Sequence, residues 1–142
     1  MSSLADLVGV SCEPLDDDGS LAVVDTVIEF VDGYAIAVHV ELVGQKIRLF
    51  DDGDVVFHML TRGVTLDERS DAQFITCLTE PEGVTLNDDA ELEIWADPHE
   101  AHVAFTRFVS AMLAVVAWDA NTRACVCMVD GKEKVVLVSD CV

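Results

Sequence analysis

The sequence predicts an α+β protein, because apolar patterns with a period of two and apolar patterns with a helical period occupy partly separate stretches of the chain. Of the 142 residues, 51% are apolar, and the mean hydropathy is +0.37. A chain of this length and composition can bury one sizeable core, so we expect a single domain over residues 1–142. The predicted architecture contains an antiparallel meander of three strands, two short helices, a small hairpin, one long core helix and a C-terminal hairpin.

The chain is expected to begin with a short helix over residues 3–12. Leu4, Leu7 and Val8 fall at positions i, i+3 and i+4, which places them on one side of a helix. Pro14 and the acidic run of residues 16–19 should end this helix and form a loop.

Three antiparallel strands are predicted over residues 21–50. The first, from Leu21 to Val31, is rich in valine, isoleucine and phenylalanine. The pair Asp32-Gly33 then predicts a two-residue hairpin turn with positive φ angles, and the second strand runs from Tyr34 to Val43. After a turn over residues 43–46, the third strand covers residues 47–50. Such a meander has one face toward the core and one wetter face.

Two short helices are predicted next. Asp54 is expected to cap a helix from Val55 to Arg62, and Gly63 stands where a left-handed C-terminal cap belongs. The segment from Thr65 to Glu68 has the spacing of a capping box, so a second helix should follow and run to about Leu78. Its predicted inward side chains are Leu66, Phe74, Ile75 and Leu78.

The remaining elements are a small hairpin, the long helix and a last hairpin. Strands at residues 84–86 and 91–95 should pair around residues 87–89, because Leu92 and Ile94 alternate with polar neighbours. Asp97-Pro98 predicts the start of a helix that runs to about Asn121. A final hairpin is expected over residues 124–129 and 134–139, around Asp130-Gly131. The predicted core side chains of the long helix are Phe105, Phe108, Val109, Met112, Val115, Val116 and Trp118.

The charge of the chain limits its partners. Lys and Arg number 8 and Asp and Glu number 27, which gives a formal net charge of −19. A disordered acidic chain would lack the high apolar content, so the charge should cover the surface of a folded domain. Such a surface repels nucleic acid and lipid headgroups and attracts basic proteins. We therefore expect no direct nucleic-acid binding and no membrane association.

The lack of recognisable localisation signals and the cysteine usage favour a cytoplasmic protein. No apolar run approaches the roughly 20 residues that span a bilayer, and no basic region with an apolar segment opens the chain. The five cysteines are odd in number and contain no Cys-x-x-Cys pair, which favours free thiols. Cys125 and Cys127 should share one strand face, with Cys141 as a further zinc ligand to consider, but the fourth ligand is missing.

The segment from about Val24 to Arg123 resembles the family known as domain of unknown function 1828, which occurs in bacteria and phages. The resemblance is carried by residues 47–54, Leu60, residues 63–66, 83–86 and 110–115. The family usually has Thr before its Asp-Asp-Gly and an aromatic residue after it, whereas Phe50 and Asp54 stand there in this chain. Since the family has no assigned activity, the resemblance implies only the fold and a bacterial or phage setting.

No catalytic constellation is apparent in the sequence. Nucleophile-elbow, cysteine-protease and glycine-rich phosphate-loop motifs are absent, and the acid-x-Lys strand of metal-dependent nucleases is not formed. Asp51, Asp52 and Asp54 could hold a hard cation, but a strand-to-helix turn explains them more simply. His99 and His102 lie one helical turn apart without a third ligand. We therefore predict no catalytic residues, no metal and no cofactor.

Clustered carboxylates remain as the candidate partner-binding residues. The leading hypothesis is a non-enzymatic binding protein whose carboxylates imitate the phosphates of nucleic acid and block a basic partner that handles nucleic acid, in the manner of anti-CRISPR or anti-restriction inhibitors. The candidates are Asp16, Asp17, Asp18, Asp51, Asp52, Asp54, Asp67, Glu68, Asp71, Asp88, Asp89, Glu91 and Glu93.

Two further functions are compatible with the same sequence. The chain could be a small interaction domain of a multi-protein assembly, held by apolar contacts or by strand addition at the C-terminal hairpin. A metal-dependent hydrolase using Asp51, Asp52 and Asp54 is a third hypothesis. The acidity could also be a plainly solvated surface or a proteome-wide adaptation to salt, since Asp occurs 17 times and Lys three times. The sequence leaves the oligomeric state undetermined.

Overall fold

The structure, a computed structural model, describes residues 3–30, 32–61, 75–122, 125–129 and 132–136. Six antiparallel strands form one sheet in the order β1-β2-β3-β4-β6-β5, and a long helix packs on it. The predicted α+β class is confirmed. The elements are α1 (Leu4–Val8), β1 (Glu13–Pro14), β2 (Leu21–Glu29), β3 (Ala35–Val43), β4 (Lys46–Phe50), α2 (Asp54–Thr61), α3 (residues 75–79), β5 (Thr85–Leu86), β6 (Leu92–Ala96), α4 (Ala101–Thr122), β7 (Cys125–Val129) and β8 (Lys132–Val136).

Helix α1 is shorter than predicted. Ser3 and Asp6 form a reciprocal capping box at its start, and Gly9 ends it with a φ angle of +82°. Glycine adopts this left-handed conformation without a Cβ penalty, so the helix stops there rather than at residue 12. Pro14 does not lie in a loop but pairs with Ala22 as part of β1. An edge strand accepts proline, because the missing N–H can face away from the sheet.

The predicted meander of β2, β3 and β4 is confirmed, but its first turn differs from the prediction. The Phe30 N–H donates to the Tyr34 carbonyl at 2.9 Å, so three residues separate this last pair instead of two. Gly33 has a φ of +88°. A three-residue loop with glycine at the left-handed position is the next commonest hairpin connection.

Strand β2 contains a bulge opposite Ile36. Asp25 pairs with Ala37 and Glu29 pairs with Ala35, so three residues of β2 face one residue of β3. The Thr26 hydroxyl donates to the Ile36 carbonyl at 2.5 Å, and it accepts from the Ile28 N–H at 3.2 Å. A side-chain hydroxyl thus replaces the missing backbone bonds, which keeps the bulge in one conformation.

The small hairpin of β5 and β6 forms as predicted and joins the main sheet. Leu86 pairs with Leu92, and the other side of β6 pairs with β4 through Leu49 and Ile94. The side-chain oxygen of Asn87 accepts from the N–H groups of Asp89 and Glu91, which fixes the turn. The sequence predicted the hairpin but not its place in the sheet, because strand order depends on contacts that local patterns do not encode.

Helix α4 covers one face of the sheet. Phe108, Met112 and Val115 are fully buried, as predicted, against strand residues such as Val38 and Leu49. The other predicted core residues, Phe105, Val109, Val116 and Trp118, are half-buried around this centre. Small residues also line the contact and were missed by the prediction: Ala101, Ala104 and Ala111.

The prediction that Asp97 caps the long helix is wrong. A 3-10 turn over Pro98–Glu100 precedes α4, and the Asp97 side chain makes no capping hydrogen bond. Its carboxylate instead accepts from Lys46 Nζ at 2.5 Å. This ammonium lowers the pKa of Asp97 below its ordinary value. The ion pair competes with the cap because both need the same carboxylate.

Residues Pro98–Ala120 are long and apolar enough to cross a membrane by length and composition. The expectation that no run approaches this length was therefore wrong. The central part of the helix belongs to the core of the sheet through Ala104, Phe108 and Met112. Because core helices often have such a composition, this feature is weak evidence for a membrane span.

Parts of the predicted elements fall outside the described residues. These are Gly63, the capping box of Thr65 and Glu68, Leu66 and Phe74, although Ile75 is buried and Leu78 is half-buried as expected. The last hairpin is present as β7 and β8, which form a separate two-stranded sheet. Its second strand begins at Lys132 rather than at Lys134.

The carboxylate of Asp51 connects three parts of the fold. The Asp51 side chain is fully buried and accepts from Gly53 N at 3.0 Å, Val55 N at 2.9 Å and Leu92 N at 2.9 Å. It therefore caps α2, a role that the sequence pattern had predicted for Asp54. Burial raises the pKa of Asp51 above its ordinary value, and the three N–H groups oppose this rise.

We expect Asp51→Ala to destabilise the fold by about 3 kcal/mol, because it leaves three buried N–H groups without an acceptor. Urea unfolding followed by circular dichroism measures this free energy. Asp17→Ala is the matched control, since Asp17 is an exposed acid, and it should change stability by less than about 0.5 kcal/mol. Equal stability of the two variants would contradict the bridging role of Asp51.

Candidate partner-binding surface

The structure divides the predicted acidic residues between the two ends of the sheet. The loop with Asp16, Asp17 and Asp18 lies at the end that carries the β3–β4 turn, since Leu42 N donates to the Ser20 carbonyl at 2.7 Å. The β2–β3, β4–α2 and β5–β6 connections lie at the opposite end. One compact partner site therefore does not include all the predicted acids.

We call the carboxylates of the three connections the acidic end, which consists of Asp32, Asp52, Asp54, Asp88 and Asp89. Asp54 is half-buried and the other four residues are exposed. The loops touch each other. Tyr34 donates its hydroxyl hydrogen to Asp54 at 3.2 Å, and the carbonyl oxygen of Ala90 lies 3.8 Å from the position that a Cβ would take at Gly53. The acidic end is therefore one continuous surface.

Four carboxylates of the acidic end lack a cationic partner among the described residues. Within the described part of the chain, Asp52, Asp54, Asp88 and Asp89 form no ion pair. Burial raises the pKa of Tyr34, and the neighbouring Asp54 carboxylate adds to the rise. The phenol thus stays neutral, with its hydroxyl hydrogen donated to Asp54, and its aromatic ring lies beside the charges.

Asp32 and His58 were not predicted as site residues. The two Asp32 oxygens lie 2.9 and 3.2 Å from His58 Nε2, and the imidazole ring stacks on Tyr34 with centroids 4.2 Å apart. The second aromatic neighbour of the imidazole is Phe30, at 4.6 Å. The His58 side chain is buried. No local pattern links Asp32 to His58, because they are 26 positions apart and meet through the packing of α2 on the β2–β3 hairpin.

The loop at the opposite end uses part of its charge internally. Asp16 accepts from the Ser20 hydroxyl at 2.6 Å and from Leu21 N at 3.2 Å. Asp18 accepts from Ser20 N at 3.0 Å, and the hydrogen bonds from Ser20 lower the pKa of Asp18. Asp17 and Asp18 are exposed, so this loop presents two carboxylates outward and uses Asp16 to fix its shape.

Glu91 and Glu93 are engaged by Arg48 on the sheet face opposite α4. The guanidinium donates to Glu93 at 2.5 Å, to Glu91 at 2.7 Å and to Glu41 at 3.0 Å. It also lies 4.0 Å from the centre of the Phe50 ring. Only 12% of the Arg48 side chain is exposed. Both predicted partner-binding glutamates are thus committed to an internal ion-pair cluster.

The ion-pair cluster favours the charged forms of Arg48 and Glu91. Burial alone would raise the pKa of Glu91, but hydrogen bonds from Arg48 and Asn87 lower it below its ordinary value. Burial likewise opposes the charge on Arg48, yet its three glutamates raise its pKa. The sequence signal that could have revealed the cluster is Arg48 itself, an arginine among apolar residues in a central strand.

Asp51 is not a surface residue, which corrects its assignment as a partner-binding residue. Its oxygens accept from backbone N–H groups, so it is also not available as a metal ligand with Asp52 and Asp54. Among the described residues, no group of three or more His, Cys, Asp or Glu is arranged to hold a metal ion.

Asp67, Glu68, Asp71 and Cys141 lie outside the described residues. His99 and His102 are exposed, and Cys125 and Cys127 lie in β7.

The family described as domain of unknown function DUF1828 matches residues 26–115 of the chain. The match covers more than half of the sequence and includes Arg48, Asp51 and the whole acidic end. No curated protein and no solved structure matches the chain.

We expect Arg48→Met to destabilise the protein by about 3 kcal/mol at pH 7, because three half-buried carboxylates lose their cation. The exposed Arg107 provides the control Arg107→Met, which has the same charge change and should cost less than about 0.5 kcal/mol. Urea unfolding gives both values.

We expect the destabilisation caused by Arg48→Met to depend on pH. The wild-type pKa of Glu91 is lowered in the folded state, so its stabilisation is present above the unfolded pKa and is lost as the pH falls through the folded pKa. Without Arg48, mutual repulsion raises the carboxylate pKa values, and protonation then favours folding. The stability difference between the wild type and Arg48→Met should therefore shrink from pH 7 to pH 4. A constant difference would contradict the electrostatic origin of the effect.

Proposed function

The chain belongs to the DUF1828 family, and we propose that it is a non-enzymatic binding protein whose acidic end occupies a basic, nucleic-acid-handling partner. The observation that carries the proposal is the contrast between two sets of carboxylates. Glu41, Glu91, Glu93 and Asp97 are paired with Arg48 or Lys46, whereas Asp52, Asp54, Asp88 and Asp89 form no ion pair within the described residues.

The arrangement of the free carboxylates supports a protein partner with a basic groove. Three rigid connections hold the acids, and each is fixed by hydrogen bonds that involve the side chain of Asp51, Tyr34 or Asn87. Loops and side chains that are already fixed before binding lose little conformational entropy in the complex, which favours affinity. A basic groove that normally accepts phosphates would meet a comparable row of negative charges on the acidic end.

The total charge supports the same proposal through the rate of association. A net charge of −19 exceeds the roughly 2–8 charges that keep a small domain in solution. Long-range attraction raises the association rate constant with a positively charged partner, and salt screens it. The proposal extends to an inhibitor that acts in a bacterial cytoplasm, with anti-restriction and anti-CRISPR proteins encoded by phages as the functional class.

The first experiment tests where the partner binds. Immobilised wild-type protein is incubated with nuclease-treated bacterial lysate at low salt, and captured proteins are identified by mass spectrometry. Asp88→Asn/Asp89→Asn removes two charges from the acidic end, and Asp17→Asn/Asp18→Asn removes two from the opposite end, so both variants have a net charge of −17, from −19 + 2. We expect the first pair to weaken capture about tenfold and the second pair to leave it within about twofold.

The second experiment tests the mimicry. A nucleic-acid-binding protein should dominate the capture, and an added duplex oligonucleotide should release it. Capture that survives both excess oligonucleotide and about 0.5 M salt would contradict the proposal, since a salt-insensitive complex is not held by exposed charges. Equal losses in the two double variants would show that net charge matters and the acidic end does not.

A second candidate function is an interaction domain of a larger assembly, joined through the C-terminal hairpin. The supporting observation is that β7 and β8 form their own two-stranded sheet, with Cys125 paired to Val136. Two strands alone are marginally stable in water, so a partner strand would stabilise them. Deletion of residues 124–142 should then abolish assembly, whereas neutralising Asp17 and Asp18 should not.

A further inference from the structure

We propose that the outer edge of β2 binds an extended basic segment of a partner protein as an added strand. This surface is separate from the acidic end and does not depend on the nucleic-acid mimicry. Strand β1 covers β2 only at Ala22 and Val23. The remaining residues of β2, from Val24 to Glu29, lie at the edge of the six-stranded sheet.

The backbone groups of this edge point outward at two residues that flank Val27. The Ser20 carbonyl binds Leu42 N on the β3 side, so the alternation of the strand turns the N–H and C=O of Asp25 away from β3. Beyond the bulge, the Phe30 N–H donates to the Tyr34 carbonyl on β3, which turns the N–H and C=O of Glu29 outward. In the described part of the chain, neither Asp25 nor Glu29 pairs with a strand on this outer side.

Val27 is unusual for an edge strand, because 97% of its surface is exposed. Natural edges are protected by charges, prolines and bulges, and the flanking Asp25 and Glu29 fit that role. An almost completely exposed valine between them does not protect the edge. The hydroxyl of Thr26 holds the bulge in place, so Val27 is presented in a fixed position rather than on a loose strand.

The charges of Asp25 and Glu29 and the apolar side chain of Val27 indicate which kind of strand can bind this edge. A second copy of the chain, paired antiparallel and centred on Val27, would place Asp25 opposite Glu29, and like charges across strands are destabilising. A segment with Lys or Arg at two positions four residues apart, and an apolar residue midway between them, would place positive charges opposite Asp25 and Glu29, because side chains on one face of a strand recur at every second residue. The apolar residue would then pack on Val27. The occupant is therefore an extended segment with the spacing basic-x-apolar-x-basic.

A fluorescent heptapeptide tests the proposal directly. The probe is acetylated, amidated Thr-Lys-Thr-Val-Thr-Lys-Thr, and its matched control is the same peptide with N-methyl groups on three consecutive central residues. N-methylation removes backbone donors from both strand edges and keeps the charge. Fluorescence anisotropy should show binding of the probe to the full chain and an affinity at least about fivefold lower for the control.

Variants locate the site of the peptide. Val27→Lys should weaken binding about fivefold, because it places a like charge opposite the basic segment and removes the apolar contact. Val103→Lys is the control, because Val103 is a 44% exposed valine on α4 and the charge change is identical. Its affinity should stay within about twofold. Amide chemical shifts measured by NMR should change at residues 25, 27 and 29.

Three results would overturn the proposal. They are the absence of peptide binding to the wild type, equal binding of the N-methylated peptide, and shift changes centred on Asp52, Asp54, Asp88 and Asp89. The acidic-end variant Asp88→Asn/Asp89→Asn should leave peptide binding within about twofold. A failure of this proposal is therefore distinguishable from a failure of the proposed nucleic-acid mimicry.

Discussion

The buried carboxylate of Asp51 is the interaction on which the rest of the structure depends. It satisfies backbone N–H groups in the turn after β4, at the start of α2 and at the start of β6. Buried N–H groups need acceptors, and one side chain supplies them for three separate segments. The cost is a fully buried carboxylate, whose pKa burial raises. Asp51 thus joins two of the connections of the acidic end, β4–α2 and β5–β6, and Tyr34 joins the β2–β3 connection to them through Asp54.

The acids of this protein are of two kinds, according to whether a donor inside the molecule binds their oxygens. Asp16, Asp51, Glu91 and Glu93 use their oxygens inside the molecule, for backbone N–H groups or for the guanidinium of Arg48. Asp52, Asp88 and Asp89 lie exposed on turns whose shape other residues maintain. The number of acids in the sequence therefore overstates the charge available to a partner. The position of each acid relative to a donor determines its role.

Local patterns predicted much of the fold. The meander, the small hairpin and the long helix follow from apolar periodicity and turn residues, and the family resemblance is confirmed by the match to residues 26–115. Competition between partners explains the errors. Asp97 was expected to cap α4, but Lys46, 51 positions earlier, binds its carboxylate. Asp54 was expected to cap α2, but Asp51 takes that role, and its carboxylate also accepts from Leu92 N.

The candidate surface was less predictable than the fold. Acid clusters are visible in the sequence, yet their division between the two ends of the sheet depends on strand order. The pair of Asp32 with His58 and the cluster around Arg48 join residues that are far apart in the chain. Such contacts carry no local signature, since they arise when α2 packs on the hairpin and when β6 joins β4.

The unpaired charges at the acidic end give ionic strength two opposite effects on this protein. Carboxylates held close together repel each other in the free molecule, and dissolved ions weaken that repulsion. Salt thus stabilises the isolated fold while it weakens the attraction to the basic partner that we propose. The ionic strength therefore sets a compromise between the stability of the fold and the strength of that proposed attraction.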